Sequence, residues 1–541
     1  MGSARAVTRR TKERKAMTQQ KSEDRKVAKG RGNTSPTSRV SDKGAKAIPV
    51  TKEVRQLTLH LESADKSTKV DTVAEVARSQ ERATARAVQK SRRKGEQVKP
   101  TMTMEEVTTR LNEAFAKVAR NQGAAGPDGQ SIAELRHEWE RVEPLLKQAL
   151  LEGRYEPGDI RRVWIPKDKG GHRGLGIPNV IDRVVQEAVR LVLEPTYEPT
   201  FHESSHGFRP GRSGHTAIEQ AKKLMEEGYE WVIDIDLEKF FDRVNHQRLM
   251  ARLAMRIRDK RLLILFGKML KAKVVMPDGV ISSTEEGVPQ GGPLSPLLSN
   301  IVLDELDREV ARRGHKFVRY ADDLNIYVRS ERAGQRAMSS IVSFIERRLR
   351  LKVNEAKSAV ARPHDRHFLG FRLEREPLND NLEVRLSKRS QERIAKKIRQ
   401  LTPRNFGGSM EKCIEKINEY VVGWIGYFGI CTGRFAKDIQ RLDAHIRRRL
   451  RAIMLKHWRS KWTIVKKLIA LGVSAKTAKA NVYGGRRSLW KLSHIWAVDR
   501  ALRNSYWDAR GLISLHKRWE ARAQVVIAPI QLQLNWDTEK S

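Results

Sequence analysis

Phe317-Val-Arg-Tyr-Ala-Asp-Asp-Leu-Asn-Ile-Tyr-Val328 consists of two apolar half-strands around Ala321-Asp322-Asp323. Apolar runs either side of a short polar break are the pattern of a β-hairpin, with both acids at or beside its tip. Neighbouring carboxylates repel, so this is a costly place for paired charge unless a cation sits there. Upstream, Trp231 to Leu237 alternates, with Ile233, Ile235 and Leu237 on one face and Asp234 and Asp236 on the other. Phosphoryl transfer by two metal ions needs oxygen ligands that converge from separate strands on ions ~3.5 to 4 Å apart. One lone acid plus one acid pair meets that need. The alternation does not separate Asp234 from Asp236, since both point the same way.

Composition bounds what surrounds this pair of elements. At 541 residues the chain is long enough for several packed regions. Lys plus Arg number 106 against 65 Asp plus Glu, a formal charge of +41, and a chain so strongly self-repelling calls for a polyanionic partner, by default nucleic acid. Two cysteines, Cys413 and Cys431, are too few and too far apart for a structural zinc site or a disulfide framework, and they fit a reducing cytoplasm. No apolar run reaches the ~18 residues of a membrane span, and no apolar core follows the basic N-terminus. The expectation is a cytoplasmic protein associated with nucleoid or ribonucleoprotein.

Residues 1–100 are rich in Lys, Arg, Ser, Thr and Gly and cannot bury enough surface to offset chain entropy, so a largely disordered basic extension is expected. Within it, Asp71 to Gly95 has a pattern that either becomes helical on RNA or merely solubilises. From Met104, Val107, Leu111, Phe115 and Val118 recur at helical spacing up to a glycine-rich loop at 123–129. Residues 154–178 read as two short strands flanking a basic, glycine-rich turn that could grip phosphate. Beyond 385 the chain reads as helical. In 435–454, Phe435, Ile439, Leu442, Ile446, Leu450 and Ile453 form an apolar stripe, with Arg441, Arg447, Arg448 and Arg451 opposite. The tryptophans at 458, 462, 490, 496, 507 and 519 suit either base stacking among cations or an ordinary helical core.

Over roughly 101–520 the chain resembles the reverse transcriptases encoded by bacterial group II introns, in particular the compact class without an endonuclease domain. The resemblance rests on ordered blocks: Ile-Pro-Lys-Asp-Lys-Gly-Gly-His-Arg-Gly-Leu-Gly-Ile-Pro (165–178), Ser-Ser-His-Gly-Phe-Arg-Pro-Gly-Arg-Ser (204–213) and Asp-Ile-Asp-Leu-Glu-Lys-Phe-Phe-Asp (234–242). Gly-Val-Pro-Gln-Gly-Gly-Pro-Leu-Ser-Pro-Leu-Leu-Ser-Asn (287–300), Arg-Tyr-Ala-Asp-Asp (319–323), Asn-Glu-Ala-Lys-Ser (354–358) and Phe-Leu-Gly-Phe (368–371) follow. His206 stands where the family has Tyr.

That resemblance implies an α+β, right-hand polymerase fold of fingers and palm, followed by an all-α thumb, or domain X, behind a disordered basic N-terminal tail. The implied divisions are 1–100 basic extension, 101–230 N-terminal region and fingers, 231–375 palm, 376–460 thumb and 461–541 basic nucleic-acid-binding helices. Asp236, Asp322 and Asp323 become the catalytic ligands of two Mg2+ ions, with Asp234 a structural neighbour. Lys167 and Arg173, helped by Arg161, would hold the triphosphate of the incoming deoxynucleotide. Gln290 and Lys357 join them, and Phe241, or its neighbour Phe240, would exclude a 2′-hydroxyl. Arg209, Arg212, Arg447, Arg448 and Arg451 are the expected nucleic-acid contacts. The implied activity is RNA-directed DNA synthesis from a 3′-hydroxyl on intron RNA, with maturase help to splicing. The implied partners are group II intron RNA, an RNA template and a DNA primer or target. A host-adopted polymerase for repair or defence, without an intron, is the alternative, and a non-enzymatic RNA chaperone is disfavoured by the intact acids.

Overall fold

A computed structural model describes residues 102–522 apart from 168, 169, 378, 486 and 487. The expected basic extension over 1–100, including the 71–95 segment, lies outside the described residues.

The apolar spacing seen in sequence becomes a first group of helices: α1 (Met104–Thr109), α2 (Leu111–Arg120) and α3 (Ile132–Leu151). Ser131 and Glu134 form a reciprocal capping box that starts α3. The strands β1 (Ile160–Pro166) and β2 (His172–Ile177) pair antiparallel, with Ile165 opposite Arg173, so the expected basic hairpin is present. The long α4 (Val180–Tyr197), α5 (Gly214–Glu226), β3 (Trp231–Asp236), α6 (His246–Ala254) and α7 (Lys260–Leu270) follow. Two short strands, β4 (Val274–Val275) and β5 (Ile281–Ser282), extend the hairpin into a sheet of order β2-β1-β4-β5.

A second sheet, in the order β6-β7-β3-β8, is built from β6 (Lys316–Tyr320), β7 (Asp323–Val328), β3 and β8 (Ala359–Ala361), all neighbours antiparallel. Both faces are covered. Ile233, Ile235, Leu324 and Ile326 pack into one core with α4 and with α8 (Ser295–Arg312) and α9 (Glu331–Phe344). Val232, Val318 and Tyr327 pack into another, shared with α5, the hairpin β9 (Phe371–Arg375) and β10 (Leu382–Leu386), and helices that follow. Residue alternation sends successive side chains to opposite cores, so this second face carries Val232, Asp234 and Asp236 in turn along β3. It therefore passes from apolar to acidic toward one end of the sheet.

The remainder is helical, as expected: α10 (Lys388–Leu401), α11 (Met410–Phe428), α12 (Phe435–His457), α13 (Lys461–Ala470) and α14 (Ala475–Tyr483) precede further short helices. Phe435, Ile439, Ile446, Leu450 and Ile453 of α12 are buried in the second core. Arg441 is exposed on the other side, but Arg451 is buried, so the arginine face is not uniformly solvated. The tryptophans differ in burial. Trp507 is wholly buried, whereas Trp462 and Trp496 are exposed beneath Lys466 and Arg500. Cys413 and Cys431 are buried free thiols, the first pushed up to about 11 by dehydration. Among the described residues no helix is long and apolar enough to cross a membrane.

Candidate active site at the acidic end of the sheet

Register brings the acids together. Asp236, the last residue of β3, is the Cα partner of Asp323, the first residue of β7, and Asp323 is also paired with Tyr320. Ala321 and Asp322 are the two residues that turn β6 into β7, with Ala321 left-handed at φ 57°. Asp234 lies one pleat back from Asp236, opposite Asn325.

The two acids of β3, equivalent in the alternation, have different partners. Asp234 receives Nε and Nη2 of Arg366 at 2.8 and 2.6 Å, and is thereby neutralised within the protein. Dehydration still pushes its carboxyl above the usual range, against the pull of Arg366. Asp236 instead faces Lys357, whose exposed Nζ lies 2.8 Å from Oδ2. The Asp236 backbone is pinned by the loop that carries Lys357: its N–H donates to Ser358 Oγ at 3.1 Å and its carbonyl accepts from Asn354 N–H at 2.8 Å. Neither Arg366 nor Ser358 was singled out in the sequence. Both lie beyond 350, and nothing in local spacing marks them as neighbours of β3.

Asp322 and Asp323 form no ion pair among the described residues. Dehydration, with the charge of Asp236 adding to it, raises Asp322 above the usual carboxylate range. Asp323 is open to solvent at the end of its strand. Protein around it nonetheless dehydrates it, and the charges of Asp322, Asp234 and Asp236 help push it up to about 7. Uncompensated carboxylates of this kind favour a multivalent cation. Among the described residues no three His, Cys, Asp or Glu side chains are drawn close enough to hold a metal by themselves. Mg2+ is commonly held by one or two carboxylates and completed by water and substrate phosphates. The donor set therefore fits Mg2+ arriving with a triphosphate rather than a preformed cage.

The other expected nucleotide contacts surround this end. Arg161 and Arg173 share one face of the β1–β2 hairpin, Arg161 half-buried opposite Ile177 and Arg173 exposed. Arg173 Nε donates to Gln290 Oε1 at 2.7 Å, and Gly176 N–H to the Gln290 carbonyl at 2.7 Å, so this hairpin rests on the 287–291 loop. Gly291 has φ 133°, and a Cβ on it would lie 2.3 Å from the Gly176 carbonyl, which is why only glycine fits there. Lys167 is exposed at the turn, its N–H bonded to the Gly171 carbonyl.

The strand does not continue through Phe241. It ends at Asp236, and Lys239, left-handed at φ 50°, leads into a short 3-10 turn holding Phe240 and Phe241. Both rings are buried, edge to face at 5.2 Å. Phe241 lines a cavity with Arg162, Trp164, Gly176 and Pro289, and its carbonyl accepts from Val288 N–H at 2.6 Å.

Two arginines expected to touch nucleic acid are in the interior instead. Arg209 is bound to Glu198 at 2.8 Å and to the carbonyls of His202 and Ser205 at 2.7 and 2.8 Å, so its guanidinium serves the loop fold. Arg451 pairs with Asp499 and donates to the Leu502 carbonyl, locking α12 to the helices after it. A guanidinium has five donors and is often used up inside by carbonyls that lack other partners, which a helical wheel cannot show. Arg212 and Arg447 are half-buried, and Arg448 lies over the Trp490 ring at 4.2 Å.

Comparison with known proteins gives the family. The family model described as reverse transcriptase (RNA-dependent DNA polymerase) matches residues 165–373, and that of the group II intron maturase-specific domain matches 391–469. Protein YkfC of Escherichia coli K12 is 34% identical over 348 residues, 57% of this chain and 89% of that protein. Group II intron-encoded protein LtrA of Lactococcus lactis subsp. cremoris is 41% identical over 181 residues, 33% of this chain and 30% of LtrA. A putative COX1/OXI3 intron 2 protein of Saccharomyces cerevisiae is 44% identical over 149 residues, 28% and 17% of the two chains. The alignment thus spans most of the first relative and under a third of the other two.

Proposed function

This chain belongs to the reverse transcriptases of group II introns, and from that membership we propose that it copies intron RNA into DNA at Asp236, Asp322 and Asp323 and assists splicing of that RNA. The observation that carries the reading is the register of Asp236 against Asp323, with Asp322 in the adjoining turn. Asp236, Asp322 and Asp323 would hold two Mg2+ ions. When bound, the ions would supply Lewis-acid stabilisation of the attacking 3′-oxygen and of the leaving pyrophosphate. Arg173 and Lys167 would grip the triphosphate of a deoxynucleotide, Gln290 would lie beneath the nascent pair, and Phe241 would crowd the sugar. Lys357, already on Asp236, is an exposed cation on a flexible stem that would follow charge from carboxylate to phosphate.

The maturase-specific match over 391–469 favours an intron partner over a host-adopted polymerase. The helical region beyond 376, with Arg447 and Arg448 on α12, would provide the RNA grip, and the protein would work as a cytoplasmic ribonucleoprotein. Sequencing RNA crosslinked to the protein in its native cell tests this. One structured intron should dominate the recovered RNA; a broad sample of transcripts with no intron among them would remove the maturase role and leave a polymerase alone.

A further inference from the structure

Beneath the acidic turn lies a buried polar knot. Arg319 is fully buried and all five of its N–H groups are bonded. Nε and Nη2 donate to the two oxygens of Asp307, also fully buried, at 2.7 and 2.6 Å. Nη2 also donates to Ser205 Oγ at 2.7 Å, and Nη1 to Asn300 Oδ1 at 3.1 Å and to the Ala321 carbonyl at 2.8 Å. Asn300 passes the connection on, its Nδ2 donating to the Gly207 carbonyl at 2.9 Å. Backbone bonds from Arg319 N–H to the Ser204 carbonyl and from His206 N–H to the Arg319 carbonyl, both 2.8 Å, close the knot. Gly207 abuts the turn so closely that a Cβ on it would lie 2.2 Å from Ala321 N.

The residue this knot grips is the strained one. Ala321 has φ 57°, a conformation that an L-residue with a Cβ keeps only where its surroundings dictate it. Its carbonyl belongs to the peptide that links it to Asp322, so whatever fixes that carbonyl fixes the direction from which the Asp322 side chain leaves the backbone. A buried ion pair is poor insurance for stability, because apolar residues of similar volume often serve as well or better. Stability alone therefore gives no reason for a charged fork whose spare donors end on the turn. Mg2+ does give one, since it demands near-ideal octahedral geometry and tolerates little displacement of a ligand.

We propose that Arg319 and Asp307 are positioning residues of the polymerase centre, holding the left-handed turn at Ala321 so that Asp322 presents its carboxylate to metal. Asn300 and Ser205 orient the guanidinium that does so. This rests on the reading of Asp322 as a metal ligand.

The test compares three full-length variants with the unaltered protein. Arg319→Lys keeps the charge and loses the fork. Arg319→Met with Asp307→Leu removes both charges together and leaves no buried ion alone. Asn300→Ala deletes one acceptor and leaves the pair intact. For each, Mn2+ binding is titrated by electron paramagnetic resonance in the presence of the matching deoxynucleotide and a primer on RNA that lacks its 3′-hydroxyl, and kcat and KM for a deoxynucleotide are measured on an extendable primed RNA template. All values are referred to the fraction of protein that binds the template. The double variant should bind template normally, bind Mn2+ about tenfold or more weakly, and lose about a hundredfold in kcat with little change in KM, the signature of an interaction needed in the transition state. Asn300→Ala should show the same pattern at roughly three- to tenfold, and it decides the matter should the other two fail to fold. Full Mn2+ affinity and full kcat in any variant that binds template would overturn the proposal. Asp322→Ala in the same assays separates the two layers. If it retains metal binding and synthesis, the ligand assignment itself is wrong; if it loses both while the knot variants keep both, only the positioning role falls.

Discussion

Asp236 and Asp323 are partners across two antiparallel strands, yet only Asp236 has a cation in contact, the Lys357 ammonium 2.8 Å from its Oδ2. Without a metal, Lys357 is thus the counterion of an otherwise repulsive face. Its loss should leave the carboxylates more dependent on Mg2+. We expect Lys357→Met to melt ~1–2 °C lower than the unaltered protein in chelator, the pair being well exposed and so weak, and to gain more from added Mg2+. Thermal denaturation with and without Mg2+ checks this; an equal Mg2+ effect in both proteins would mean that Lys357 and the metal do not share a site.

Arg173 sits on the exposed hairpin with its Nε on Gln290, a contact that an incoming triphosphate would replace with stronger, charge-assisted bonds. Arg173→Ala is expected to raise the KM for deoxynucleotide about 10- to 100-fold, corresponding to ~1.5–3 kcal/mol, with primer-template affinity unchanged. Steady-state kinetics against nucleotide concentration give the answer, and an unchanged KM would place the triphosphate elsewhere.

Phe240 and Phe241 touch edge to face but differ in surroundings: Phe241 borders a cavity, while Phe240 is among the largest fully buried side chains. Phe241→Val should therefore relax discrimination against ribonucleotides by roughly tenfold or more, whereas Phe240→Val should chiefly destabilise, by ~2–4 kcal/mol. Competing incorporation of ribo- and deoxynucleotides, alongside urea denaturation, distinguishes the two. The reverse outcome would assign the sugar contact to Phe240.

Arg451 and Arg447 lie one turn apart on α12 but do different things. Arg451 is buried on Asp499, so Arg451→Ala should cost ~2–4 kcal/mol and lower splicing and copying together, in step with folded protein. Charge reversal at Arg447 and Arg448 should instead reduce splicing more than extension of a short primed template, because a folded intron engages a wider basic surface. Parallel splicing and extension assays at near-physiological salt would show it. Equal loss of both activities in the charge-reversed protein would reject this helix face as the intron grip.

Strand alternation and hairpin pattern were enough to locate the acidic segments, and ordered blocks supplied the family and hence the α+β fold with its helical continuation. Alternation alone could not choose between Asp234 and Asp236. That distinction comes from Arg366 and Lys357, more than 120 residues away in the chain, which no local pattern connects to β3. The interior fates of Arg209 and Arg451 were hidden for a related reason. Arginine has a long apolar stem and five donors, so a basic residue on a helix face or in a polar loop can be consumed by distant carbonyls and carboxylates. Phe240 and Phe241 lie in a 3-10 turn entered through a left-handed Lys239, a conformation that its residue type does not announce.

Single-nucleotide incorporation by pre-steady-state kinetics, on a DNA primer annealed to RNA, tests the central claim most directly when Asp322→Asn, Asp236→Asn and Asp234→Asn are compared. If Asp322 and Asp236 carry the metals, their variants should lose about a thousandfold or more in rate at unchanged template affinity, while Asp234→Asn, whose carboxylate is taken up by Arg366, should keep activity within about tenfold. Mg2+-dependent incorporation near the unaltered rate by the Asp322 or Asp236 variant, or a loss confined to Asp234→Asn, would contradict the account.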